Sequence, residues 1–98
     1  MSVESLSFSF ETERSVERRV HVGVVGSGDL EILLEPREEE GAEVSVLTSV
    51  DGYEHVWGRV LDRFFSRRPL GGRYEIRDFG ATPGVVSLRL AQAAAEAS

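Results

Sequence analysis

Tyr53-Glu54-His55-Val56-Trp57-Gly58-Arg59-Val60-Leu61-Asp62-Arg63-Phe64-Phe65 is the stretch on which the fold turns. Tyr53, Val56, Trp57, Val60, Leu61, Phe64 and Phe65 recur at spacings of three and four and gather on one broad apolar face, while Glu54, Arg59, Asp62 and Arg63 fall mostly elsewhere. That period predicts an amphipathic helix over about Gly52 to Arg67, packed on a sheet. Asp51 can accept an N–H bond as its N-cap and Glu54 can reach back, while Pro69 with Gly71 and Gly72 marks the exit.

The segments on either side have a period of two. Upstream, Val44 and Val46 face one way in a strand over Glu43 to Thr48, preceded by an exposed loop over Pro36 to Gly41. Downstream a strand over about Arg73 to Phe79 is expected, with Phe79 in the core and Asp78 exposed or bonding the following loop. Thr82 then caps, and Pro83 opens, a last helix to about Ala95, with Leu88, Ala91 and Ala95 on its buried side. Nearer the N-terminus, Leu6, Phe8 and Phe10 alternate with polar residues in a strand over about Ser5 to Phe10. After the charged stretch Glu11 to Arg19, Val20 to Val25 and Leu30 to Leu34 form a hairpin. The order β-β-β-β-α-β-α predicts an α+β fold, a mainly antiparallel sheet of about five strands with two helices on one face. Strand order is open at this point.

The chain of 98 residues suits one domain spanning 1–98, and its formal net charge of −6 is the wrong sign for gripping a phosphate backbone. Nucleic acid is therefore not an expected partner. No apolar run is long enough to span a membrane, and Ser2 to Glu11 alternates instead of forming a basic-then-apolar leader, so a cytoplasmic protein is expected. With no cysteine, a disulfide framework, a thiolate zinc site and a cysteine nucleophile are all excluded.

The residues with the most chemical promise are Gly26-Ser27-Gly28-Asp29, where one apolar run ends and the next begins. Glycine permits positive φ and close backbone approach, so the bracket suits a hairpin tip that presents the Ser27 hydroxyl to a visiting enzyme. A plain hairpin turn accounts for the same residues. The bracket lacks the Walker spacing and the third glycine of a dinucleotide loop. Asp78-Phe79-Gly80 matches the magnesium-binding triplet of protein kinases only by coincidence, because the chain lacks their glycine-rich and catalytic loops. His21 lies too far down its strand to serve Ser27 as a base, and His55 lies on a helix with no ligand partner. Both serine hydrolysis and a metal site are thus disfavoured. Asp29 and Glu31 read as solvated charges or as an anionic rim that docks a basic partner.

Three segments together resemble a known family. Gly23-Val24-Val25-Gly26-Ser27-Gly28-Asp29-Leu30-Glu31, Thr48-Ser49-Val50-Asp51 and Asp78-Phe79-Gly80-Ala81-Thr82-Pro83-Gly84 look like the acyl carrier (delta) subunit of biotin-independent malonate decarboxylase, a relative of the citrate lyase acyl carrier. The resemblance covers about Val22 to Leu90, and the first twenty residues and the Glu38 to Glu40 loop carry little of it.

It implies that Ser27 bears 2'-(5''-phosphoribosyl)-3'-dephospho-CoA, attached covalently through a phosphodiester, whose terminal thiol carries acetyl or malonyl as a thioester. It also implies a non-catalytic carrier served by a prosthetic-group transferase, a malonyl transferase, and the acyltransferase and decarboxylase subunits. On this reading Gly26 and Gly28 leave room for the transferase, and Asp29 helps it dock. Ordinary four-helix carriers present serine in an Asp-Ser-Leu motif that this chain lacks, so an ordinary phosphopantetheine arm is not expected. The rival reading is an acidic adaptor domain that binds partners without any prosthetic group.

Overall fold

The computed structural model describes residues 3–97. Ser2, where the alternating N-terminal stretch begins, lies outside the described residues. In chain order the elements are β1 (Glu4–Phe10), β2 (Arg14–Ser15), β3 (Val20–Gly23), β4 (Leu30–Glu35), β5 (Ala42–Thr48), α1 (Glu54–Arg67), β6 (Leu70–Asp78) and α2 (Pro83–Ala97). The sheet runs β1-β5-β6-β4-β3, and β2 pairs with β6 off this path.

The fold is α+β, and the sheet is mixed. The pairs β1–β5, β3–β4 and β4–β6 are antiparallel. β5 and β6 run parallel, because α1 returns the chain to the starting end before β6 begins, and parallel neighbours need such a crossover. The sixth strand, β2, hides in the charged stretch Glu11 to Arg19 and pairs Arg14 with Leu70 and Ser15 with Gly71. Two residues show no period to read, yet β2 delivers the next residue, Val16, to the core at 4% exposure.

Alternation puts Leu30, Ile32 and Leu34 of β4, Val44 and Val46 of β5, and Tyr74 and Ile76 of β6 on one buried face, while Arg73, Glu75 and Arg77 point outward. α1 covers that face with Trp57, Leu61, Phe64 and Phe65, as its periodicity predicts. The Phe65 and Tyr74 rings meet edge to face with centroids 5.1 Å apart. Tyr74 satisfies its buried hydroxyl by donating to the Leu70 carbonyl at 2.7 Å. Burial pushes the pKa of this phenol far up, so it stays neutral. Each large side chain so enclosed contributes about 1.5–3 kcal/mol.

Several local expectations are corrected. α1 starts after Tyr53, which makes no side-chain capping bond; Asp51 is not its N-cap. Tyr53 is half exposed and lies off the core face. Gly71 and Gly72 sit inside β6 instead of in the exit from α1. A methyl on Gly71 would lie 2.9 Å from the Gly41 carbonyl oxygen and 3.1 Å from that of Arg14, so the sheet closes there only around a residue without a side chain. On α2 the buried stripe is Val86, Leu90, Ala93, Ala94 and Ala97; Ala95 is exposed and Leu88 is 64% exposed. This helix is rich in alanine throughout, and so small a side chain leaves the phase of the buried face poorly marked.

Candidate functional site

β3 ends at Gly23, two residues earlier than the hydrophobic run suggests. A methyl on Gly23 would fall 2.0 Å from the Leu30 carbonyl oxygen, and its φ of +87° turns the chain out of the ladder. Val24 and Val25 are consequently exposed in a connection of residues 24–29, not strand residues. At the tip the Asp29 amide donates to the Gly26 carbonyl at 3.1 Å, closing a four-residue turn with Ser27 and Gly28 at its centre. Gly28 has φ +77°, at the turn position where positive φ selects glycine.

Ser27 is exposed, as the sequence predicts. The space around it is open: a methyl on Gly28 would meet nothing within 4 Å, and one on Gly26 only Val24 Cγ2 at 3.9 Å. His21, the nearer histidine in sequence, bonds Glu31 through Nε2 at 2.9 Å on the outer sheet face, and His55 is exposed on α1. No cluster of three or more metal-binding side chains exists among the described residues. A bare alcohol held this way is suited to being modified by an incoming enzyme, and it has room for a bulky covalent group.

The turn is fastened to the end of the central strand. Gly28 N–H donates to the Phe79 carbonyl at 2.8 Å, and Phe79 N–H donates to the Asp29 carbonyl at 2.9 Å. These bonds extend the β4–β6 ladder, whose last pair is Leu30 with Asp78. The Asp29 carboxylate is committed within the chain. It accepts the Leu30 amide at 2.8 Å and takes Arg89 of α2 side-on, Nε to Oδ1 at 3.1 Å and Nη2 to Oδ2 at 2.7 Å. The Arg89 hydrogen bond, with help from the Leu30 amide, holds the Asp29 pKa below the usual carboxylate value. Asp29 therefore braces the turn from behind. Glu31 is similarly engaged by His21 and Arg77, with the His21 hydrogen bond the larger cause of its lowered pKa.

Asp78 is 4% exposed, and Phe79 is the less buried of the two, the reverse of one expectation. The other expectation, a bond to the following loop, is met: Asp78 Oδ1 accepts the Ala81 amide at 2.9 Å. Its Oδ2 accepts the Thr48 hydroxyl at 2.8 Å, and Thr48 Oγ1 in turn accepts the Val50 amide at 3.0 Å. The Thr48–Asp51 segment, the Asp78–Gly84 segment and the serine turn, far apart in the chain, are thereby joined at one end of the sheet. Thr82 caps α2 as predicted, its hydroxyl accepting from Val85 N–H at 3.3 Å.

Arg89 and the buried role of Asp78 were not anticipated. Parity with Tyr74 and Ile76 marks Asp78 as inward-facing, but Arg89 carries no signal beyond being a lone cation in an apolar helix.

Residues 17–97 match the family model described as Malonate decarboxylase delta subunit (MdcD). The chain belongs to the malonate decarboxylase delta subunit family. Among relatives, the malonate decarboxylase acyl carrier protein of Malonomonas rubra is 48% identical over 97% of this chain and 89% of its own. The protein of that name from Azotobacter vinelandii is 46% identical over 98% of both, and that from Burkholderia cepacia 50% identical over 96% of this chain and 90% of its own. In structure the chain is similar to one from a Pseudomonas malonate decarboxylase hetero-tetramer crystallised in complex with malonate, with a TM-score of 0.91 at 45% identity, covering 97% of this chain and 99% of that one. The match to the delta subunit family begins ahead of the expected Val22 limit and runs past Leu90, and it takes in the Glu38 to Glu40 loop.

Proposed function

We propose that this chain is the acyl carrier subunit of a malonate decarboxylase and that Ser27 is where its prosthetic group, a phosphoribosyl dephospho-coenzyme A, is attached. The observation that carries the reading is the exposed Ser27 hydroxyl on a turn braced by Phe79 and Arg89, with open space at both flanking glycines. Attachment forms one bond from the serine oxygen to phosphorus and breaks the bond from that phosphorus to the pyrophosphate of a triphosphoribosyl precursor; the hydroxyl proton goes to the transferase or to water. The visiting enzyme supplies the base, His21 being engaged by Glu31.

Once bound, the group supplies a thiol that holds acetyl or malonyl as a thioester, whose carbonyl accepts the charge left when carbon dioxide departs. The protein's own work is mechanical. The turn holds the attachment point rigid, and the tether makes each encounter with a partner's active site effectively intramolecular. The chain contributes no catalytic residue, and Gly26 and Gly28 admit the nucleotide. Partners are the acyltransferase and decarboxylase subunits, a malonyl transferase and the prosthetic-group transferase. The cytoplasm is the compartment this implies. No helix among the described residues is long and apolar enough to cross a membrane.

The test is intact mass after co-expression with the transferase and its precursor pathway. Wild-type protein gains one phosphoribosyl dephospho-coenzyme A, and Ser27→Ala gains nothing. A wild-type chain that stays unmodified yet still binds the decarboxylase subunits refutes attachment and leaves an adaptor.

A further inference from the structure

Beside the serine turn lies a cavity of about 330 Å³ between the first turns of α1, the 80–83 segment and the start of α2. Val50, Val56, Val60, Pro83 and Val86 make its walls largely apolar, with the Trp57 indole on one side and the half-exposed Tyr53 at the edge. Its volume falls in the range of small-ligand sites. The lip is shared with the attachment turn: Gly80 lines the cavity, and a methyl placed on Gly80 would lie 4.0 Å from the Gly28 nitrogen. A group fixed to Ser27 is thus tethered within reach of the opening.

The lining also selects among the parts of such a group. Asp78 is buried in the wall, so a diphosphate or a malonyl carboxylate entering the cavity would meet a like charge away from water. Each Asp78 oxygen already accepts one hydrogen bond, from Ala81 N–H and from the Thr48 hydroxyl, and a carboxylate oxygen has capacity for a second. The cavity therefore favours a flat, neutral, largely apolar ring whose edge donates. Adenine has that chemistry, with apolar faces for Trp57, Tyr53 and the valines and an amino group for Asp78.

We infer that this cavity receives the adenine ring of the nucleotide carried on Ser27, an assignment that rests on the attachment proposed above. Anchoring the purine fixes the nucleotide end of the arm to the domain. Only the pantetheine portion, with its thioester, is then left to swing between partners.

The experiment uses holo-protein labelled with 13C and 15N and bearing an unlabelled prosthetic group, its occupancy confirmed by intact mass. Isotope-filtered NOE spectra should give cross-peaks from adenine H2 and H8 to the methyls of Val56, Val60 and Val86, and Tyr53→Ala should weaken them while the mass adduct remains. Trp57 is the chain's one tryptophan, so its emission should fall on modification. It should stay low after a nucleotide pyrophosphatase has trimmed the arm back to the adenylate. Cross-peaks from the geminal methyls of pantetheine in place of adenine, emission restored by trimming, or neither cross-peaks nor an emission change would each overturn the assignment. A chain that takes no adduct refutes the attachment itself and this inference with it, and the mass spectrum distinguishes that failure from an adenine ring left in solvent.

Discussion

Glycines stand at both ends of the central strand β6, and they do opposite jobs. At its start, Gly71 is jammed between the Gly41 and Arg14 carbonyl oxygens, both within 3.1 Å of where a methyl would sit. Beyond its far end, Gly28 has positive φ and faces nothing within 4 Å. The first is glycine because backbone must approach backbone; the second because a turn must bend and then leave space. A composition count merges the two, but what a methyl would touch separates them.

Substitutions can break this contrast. Gly71→Ala forces strand backbones apart and should cost about 3 kcal/mol, read as a lower urea midpoint, while any folded fraction remains competent for modification. Thr48→Val should cost about 2 kcal/mol, because Asp78 loses the hydroxyl bonded at 2.8 Å while remaining buried; near-neutral denaturation would show that the Thr48–Asp78 link braces nothing. Gly28→Ala should cost only about 1 kcal/mol, the strain of positive φ, yet slow the transferase markedly. Gly26→Ala should lie within about 0.5 kcal/mol of wild type, and any defect it shows should be in modification. If Gly28→Ala proves as disruptive as Gly71→Ala, the two ends of β6 are not doing different work.

Acid sharpens the same picture. The folded Asp29 pKa is depressed by Arg89, so its stabilisation is present above the unfolded carboxylate value and is lost as pH falls through the folded one. Amide exchange at Gly28 should therefore accelerate, relative to amides of β5, as pH is lowered through the acid carboxylate range. Asp29→Asn should remove that dependence.

Much of the architecture was legible because apolar periodicity speaks for faces. α1 and the strands β1, β4 and β5 lie where their periods put them, and the α+β class follows from their order. What escaped was set by partners distant in the chain. β2 exists only because β6 offers it an edge, and the parallel β5–β6 pair depends on the direction of the α1 crossover. At the site the exposed Ser27 was readable from its glycines. The Asp29–Arg89 clamp, spanning sixty positions, left no local mark.

The most direct measurement is tandem mass spectrometry of holo-protein after trypsin. The peptide Val20 to Arg37 holds Ser27 as its one hydroxyl-bearing residue, so the account predicts the whole phosphoribosyl dephospho-coenzyme A mass on that peptide and on that serine. Finding the nucleotide on any other peptide would contradict it.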